Sequence, residues 1–306
     1  MFAMKNKLLH SLFLLLASLV LATGARAQVI KFDYYEGLIF LKVGVNDQDS
    51  LLFLMDTGAN ASAIDNTLAD KLKLKVTQKD TVEGTAGKMI AQMVKLDKIN
   101  AGKAYLNDLT VTRQDLGHMV APRGQKVSGI LGTDFLKHYT VTIDFLKHEI
   151  NFLKINLDER TTMPVLHFTM DNGIPRTTVT INGAVTTDLR YDSGASLLPT
   201  NTVYINITED IFQKLKAIDS TLKPHDYFKG TGIGGNVSLP VVGARSVKNK
   251  NGSIDAIDIE MIVQPRQGYF ARKDAVGFFS NNLLEKFKRV AIDFNSGIMI
   301  LGPGSL

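Results

Sequence analysis

Two segments of this chain read as one segment written twice. "VNDQDSLLFLMDTGA" at 45–59 aligns without a gap with "INGAVTTDLRYDSGA" at 181–195, an offset of 136 residues. "GILGTDFLKHYTVTIDF" at 129–145 aligns with "GFFSNNLLEKFKRVAIDF" at 277–294, starting at an offset of 148. Between these anchors each half holds a glycine-marked hairpin candidate, "VEGTAGKMIAQ" at 82–92 and "FKGTGIGGNVS" at 228–238. The period is far longer than that of a solenoid. Duplication on this scale predicts two lobes of one design, 28–160 and 161–306, joined through the polar, proline-ended "NLDERTTMP" at 156–164.

Within each half, short runs rich in Val, Ile, Thr and Phe alternate with Gly, Asn and Asp turns, as in "LIFLKVGVND", "TTVTING" and "YTVTIDF". That rhythm predicts an all-β protein. Helical signals are few and short. Asp65 can cap "NTLADKLKL", and Thr208 can cap "EDIFQKLKAI", whose Ile211, Phe212, Leu215 and Ile218 share a face.

With 45% hydrophobic and 21% charged residues over 306 positions, the chain has ample material for such a core. Residues 1–27 are read as a secretory signal peptide. Lys5 and Lys7 precede an apolar run from Leu12 to Ala22, and Ala25-Arg26-Ala27 supplies an A-x-A cleavage site. The run is too short to span a bilayer comfortably, and no second run of spanning length follows. The mature chain is therefore expected to be exported, periplasmic or secreted, with no membrane span. Its loss of three basic residues takes the formal charge from +5 to +2, which weakens any case for a nucleic-acid partner. The absence of cysteine excludes disulfides, thiolate metal sites and a cysteine nucleophile.

Each repeat closes an apolar run with Asp-[Thr/Ser]-Gly: Asp56-Thr57-Gly58 and Asp192-Ser193-Gly194. A carboxylate at the edge of a core is costly unless something satisfies or uses it. Two like lobes about a pseudo-twofold axis bring equivalent loops together at that axis, so the two carboxylates face each other. At short range they cannot both ionise, and they share a proton. The ionised member can then take a proton from a water while the protonated member polarises a substrate carbonyl. That combination hydrolyses an amide without a metal or a covalent intermediate, so no cofactor is expected. Gly58 and Gly194 permit the close approach of the two backbones, and Thr57 and Ser193 supply short hydroxyls that can fix the loops.

On these residues the sequence resembles the aspartic protease superfamily, and within it bacterial retropepsin-like proteins that carry two D-[ST]-G-A motifs in one chain. The resemblance extends over nearly all of residues 29–306. It implies two homologous lobes of the double-psi β-barrel-like aspartic protease fold with a few short helices, an endopeptidase activity, and Asp56 and Asp192 as the catalytic dyad. It implies that the hairpins around Gly84 and Gly87, and around Gly232 and Gly234, are flaps over a peptide cleft. "VSGILGTDFL" (127–136) and "AVGFFSNNLL" (275–284) resemble the segments that brace the catalytic loops. The implied partner is a peptide or protein substrate. Because one chain holds both halves, a monomer suffices for the chemistry.

The departures lie in the second half. Leu54, two before Asp56, is matched by Arg190, two before Asp192, and residues two apart on a strand share a face. Arg190 either holds Asp192 ionised or serves a substrate carboxylate, with Asp188 as a simple pairing partner for it. Ser280 replaces the second brace glycine, Gly132. Neither change removes a catalytic atom, yet both leave open a non-catalytic peptide binder of the same fold.

Other signals carry less. "GTGIGG" (230–235) matches G-x-G-x-x-G by letters but lacks the flanking strand and helix of a dinucleotide site, and reads as a hairpin. The six histidines show no ligand spacing. Ser62 and Ser196, just after the two motifs, read as loop-shaping residues, Asp144 and Asp293 as structural acids, and "RQGYFARKD" (266–274) as a loop.

Overall fold

Alternation of apolar and polar residues turns most of the chain into strand, and a pseudo-symmetric pair of strands organises the rest. The computed structural model describes residues 28–302 apart from 84–87, 120, 200, 233 and 234. The expected signal peptide, the flap glycines Gly84 and Gly87, and Gly234 lie outside the described residues.

In the first half, Gln48–Met55 pairs antiparallel with Leu38–Val45 on one side and parallel with Gly129–Leu131 on the other. In the second half, Val185–Tyr191 pairs antiparallel with Ile174–Ile181 and parallel with Gly277–Phe279. The parallel neighbour begins at a glycine in both. A Cβ on Gly129 would strike the Phe53 ring and come within 2.5 Å of the Ala63 carbonyl, and one on Gly277 would strike the Asn206 carbonyl.

The repeat extends to side-chain hydrogen bonds. Asn46 and Asn182 both sit at strand turns with positive φ, 50° and 54°, where Asn is tolerated. The Asn46 side-chain carbonyl accepts the backbone N–H groups of Asp97 and Lys98, and that of Asn182 accepts those of Arg245 and Ser246. Each turn is thereby tied to a long hairpin. One hairpin is Val76–Glu83 with Lys88–Ala101, closing at Glu83 opposite Lys88; the other is Asp226–Gly232 with Gly235–Asn249, closing at Gly232 opposite Gly235. Strand, not helix, follows "GTGIGG", as a hairpin requires and a dinucleotide site does not.

The two halves meet in a shared antiparallel seam. Thr140–Asp144 pairs with Arg289–Asp293, with Asp144 opposite Arg289 and Thr140 opposite Asp293. Asp144 forms an ion pair with Arg289 at 2.7 Å. Asp293 accepts the N–H groups of Leu157, Asn295 and Ser296. Both acids are thus spent on joining chain segments.

The helices are capped as expected. Asp65 accepts from Thr67 N–H ahead of Asn66–Lys71, and Thr208 accepts from Ile211 N–H ahead of Glu209–Ile218. Ile211, Phe212 and Leu215 are buried, but Ile218, expected on the same apolar face, is 65% exposed. It is the last helical residue, one position past the strip that packs on the sheet.

Candidate active site

Pleating sorts the residues of the two central strands onto two faces. Phe53 and Met55, and in the second half Leu189 and Tyr191, enter the main core. The opposite face carries Leu52, Leu54 and then Asp56 in one repeat, and Asp188, Arg190 and then Asp192 in the other. Each strand ends where the Asp N–H makes the last bond to its brace: Asp56 to the Leu131 carbonyl at 3.0 Å and Asp192 to the Phe279 carbonyl at 2.9 Å.

Beyond those bonds the chains cross. Thr57 N–H donates to Ser193 Oγ at 2.9 Å, and Ser193 N–H donates to Thr57 Oγ1 at 2.9 Å. The Thr57 hydroxyl donates to the Tyr191 carbonyl at 2.8 Å, and the Ser193 hydroxyl to the Met55 carbonyl at 3.0 Å. Both hydroxyls are fully buried. Every bond in this lock runs from one half of the chain to the other, which fixes the separation of the two loops.

The lock sets the carboxyl groups of Asp56 and Asp192 within hydrogen-bond reach of each other. Gly58 N–H donates to Asp56 Oδ1 at 2.8 Å and Gly194 N–H to Asp192 Oδ1 at 3.0 Å. The glycines face the opposite carboxyls. A Cβ on Gly58 would lie 2.5 Å from Asp192 Cγ, and one on Gly194 would lie 2.5 Å from Asp56 Oδ1. Burial raises the pKa of both acids, against the pull of the loop N–H groups. Asp192 is raised well above the ordinary aspartate value, first by burial and then by the charge of Asp56, with the Arg190 charge opposing. Like charges at this range exclude double ionisation, so the pair retains a proton where a solvated aspartate has lost it.

The braces differ. In the first half, Gly132 sits against the loop, where a Cβ would be 2.8 Å from the Ala59 carbonyl. Ser62 is buried; its hydroxyl donates to Asp134 at 2.6 Å and accepts from Gly132 N–H at 3.0 Å. In the second half Ser280, Asn281 and Asn282 replace Gly132, Thr133 and Asp134. The buried Asn281 amide donates to the Ser193 carbonyl at 3.1 Å and to the Gly37 carbonyl at 2.8 Å, while its oxygen accepts the Tyr191 hydroxyl at 2.7 Å. The Ser196 hydroxyl donates to the Glu36 carbonyl at 2.7 Å. Glu36 and Gly37 form a two-residue turn with φ of 52° and 79°, a type I′ geometry. A hairpin tip from the first half therefore clamps the second loop. Asn281 and the Glu36-Gly37 turn were not singled out from the sequence. The signal available was the polar triplet Ser280-Asn281-Asn282 at the repeat position of Gly132-Thr133-Asp134.

Arg190 has the expected face but not the expected partner. Asp188 bonds instead to Arg176, at 2.6 Å, and to the Thr178 hydroxyl directly across the hairpin. Arg190 reaches Asp171 at 3.4 Å, and its guanidinium lies 4.3 Å over the ring of Tyr269. Tyr269 belongs to the 266–274 segment, which thus packs against Arg190. On the other side of the dyad, Leu54 is covered by an apolar cluster of Leu38, Phe40, Leu52, Leu116, Ala121 and Val127. Next to that cluster opens a cavity of about 510 Å³ with a mixed lining that includes Tyr35, Leu116 and Met119 together with Arg123, Gln125 and Lys126. Among the described residues no group of three His, Asp or Glu side chains is placed to hold a metal ion, and no helix is long and apolar enough to cross a membrane.

No curated protein matches the sequence. Among solved structures, the chain is similar to an aspartic proteinase from Irpex lacteus, at 12% identity over 91% of this chain and 98% of that one, with a TM-score of 0.49. It is similar to a retropepsin-like aspartic protease from Rickettsia conorii, at 20% identity over 46% of this chain and 90% of that one, with a TM-score of 0.31. It is also similar to conglutin gamma, a basic 7S globulin from lupine seeds, at 10% identity over 92% of this chain and 96% of that one, with a TM-score of 0.49. Residues 41–135, which hold the first loop and its brace, match the aspartyl protease family model. That match lies wholly within the first half of the chain.

Proposed function

We propose that the protein is an exported, single-chain aspartic endopeptidase in which a water held between Asp56 and Asp192 attacks the scissile carbonyl of a peptide. The observation that carries this reading is the pair of carboxyls set face to face by the crossed Thr57 and Ser193 hydroxyls. The ionised acid takes the proton of the attacking water, and the protonated acid donates to the carbonyl oxygen as it becomes tetrahedral. As the C–N bond breaks, the acid that took the water's proton gives it to the leaving amine, the other acid recovers a proton from a hydroxyl of the tetrahedral intermediate, and the dyad is singly protonated again. Chain 28–160 and chain 161–306 each supply one acid, and a monomer is complete. The two long hairpins act as flaps, their edges pairing with an extended substrate backbone. The leader at 1–27 directs the protein out of the cytoplasm.

The test is incubation of the purified chain from Gln28 onward with a mixed peptide library between pH 3 and pH 8. Pepstatin-sensitive, pH-dependent cleavage is expected. A second reading, a peptide-binding pseudoprotease, is motivated by the Arg190 charge beside Asp192. Peptide affinity without turnover at any pH would establish it in place of the enzyme.

A further inference from the structure

We propose that Arg190 anchors a carboxylate subsite on the second-lobe side of the dyad, so that preferred peptides present an acidic group there. The proposal rests on the peptidase reading and adds a substrate class to it. Position comes first. Arg190 is the repeat mate of Leu54, two residues from Asp192 and on its face, close enough for its charge to act on that carboxyl. Leu54 is 1% exposed beneath its apolar cover, whereas the Arg190 side chain keeps 14% of its surface open. The two positions therefore differ in what they offer: Leu54 is sealed among apolar side chains, while Arg190 keeps a cation partly open.

The guanidinium is also under-used. It offers five N–H donors in a planar fork. Its ion-pair contact to Asp171, at 3.4 Å, is longer than a charge-assisted bond normally is, and that carboxylate oxygen is shared with Arg176 at 3.3 Å. The buried Nε has no hydrogen-bond partner. The surrounding acids are occupied elsewhere: Asp188 by Arg176 and Thr178, and Asp274 by Arg272. Tyr269 backs the flat face of the guanidinium at 4.3 Å, which leaves the in-plane N–H edges as the donors for an incoming carboxylate. Two sources can present that group, an Asp or Glu side chain or the free C-terminus of a short peptide.

The experiment compares kcat/KM for matched peptides that differ only as Glu against Gln near the scissile bond, and as C-terminal acid against C-terminal amide. The wild-type chain is set beside Arg190→Leu, which restores the residue type of Leu54, and Arg190→Lys. A preference of about fivefold to tenfold for the acid is expected in one of the two arms, shrinking with added salt. It should fall to one or below in Arg190→Leu and be intermediate in Arg190→Lys. The ratio is taken within one protein, so partial misfolding of a variant cancels. A wild-type ratio of one in both arms, or a ratio that survives Arg190→Leu, overturns the subsite. A shifted pH profile in Arg190→Leu with an unchanged ratio also overturns it, assigning Arg190 to tuning Asp192 instead. If no peptide is cleaved, equilibrium binding of the same peptides separates the two ideas. Acid-selective binding lost in Arg190→Leu removes the peptidase reading and keeps the subsite, while no selective binding removes both.

Discussion

The rows Leu52-Leu54-Asp56 and Asp188-Arg190-Asp192 occupy matching places on matching strands, and their backbones make matching bonds. Their outer residues nevertheless differ completely. The first row is sealed under an apolar cluster; the second lies among Arg176, Asp171 and Tyr269, partly open to solvent. Backbone geometry is what the dyad demands of both halves, since the Thr57–Ser193 lock works only if the loops are mirror partners. The walls beside the acids have no such constraint. Duplication has thus kept the parts that set the distance between the carboxyls and released the side chains of the strands that lead up to them.

The comparison can be broken most severely at the glycines. Gly194→Ala would drive a methyl into Asp56 and Gly58→Ala one into Asp192. Displacing a reacting group by about 1 Å costs on the order of 100-fold in rate, so both variants should lose at least that much peptidase activity. A smaller loss in either would show that the loops yield more than the lock suggests. Next come the walls. Leu54→Ala opens a hole in a sealed cluster and should cost about 2–5 kcal/mol in denaturant unfolding. Arg190→Ala, which removes one long and shared ion-pair contact, should cost about 1 kcal/mol or less. Equal costs would contradict the contrast between the rows. Thr57→Val and Ser193→Ala each strip a buried hydroxyl and leave an N–H of the other loop unsatisfied. Each should cost about 1–3 kcal/mol, and the two should agree closely because the lock is symmetric.

The smallest effect concerns pH. Asp192 has its pKa raised in the folded chain above the ordinary 3.8. The folded state then binds the proton more tightly than the unfolded state, so this contribution to stability is present below the ordinary value and is lost as pH rises through the raised one. Asp192→Asn should remove that slope and raise the melting temperature at pH 7 by about 2–4 °C. Thermal scans between pH 3 and pH 8 read it directly, and a variant less stable than wild type at pH 7 would contradict the sign.

The meeting of the two Asp loops was legible because they fall at the same place in a gapless repeat, each at the end of a strand. The glycine hairpins and the helix caps were legible for the local reason that turn and cap chemistry is written in adjacent residues. What escaped depends on distant chain. Asn281 clamps the second loop through Gly37, 244 residues away, and no spacing rule connects them. Asp188 was assigned to Arg190, its neighbour on one strand face, but a hairpin turn brings Arg176 and Thr178 across from it. The 266–274 segment read as a plain loop, since nothing local shows that Tyr269 will lie under Arg190.

The central claim is that Asp56 and Asp192 act as one proton-sharing unit. The direct measurement is kcat/KM against pH for the wild-type chain, Asp56→Asn and Asp192→Asn, with folding checked by thermal melt. Two shared titrations predict a bell-shaped wild-type profile. They also predict a loss of about 10³-fold or more in each variant with the fold intact. Retained turnover in either folded variant, or a wild-type profile with a single ionisation, would contradict it.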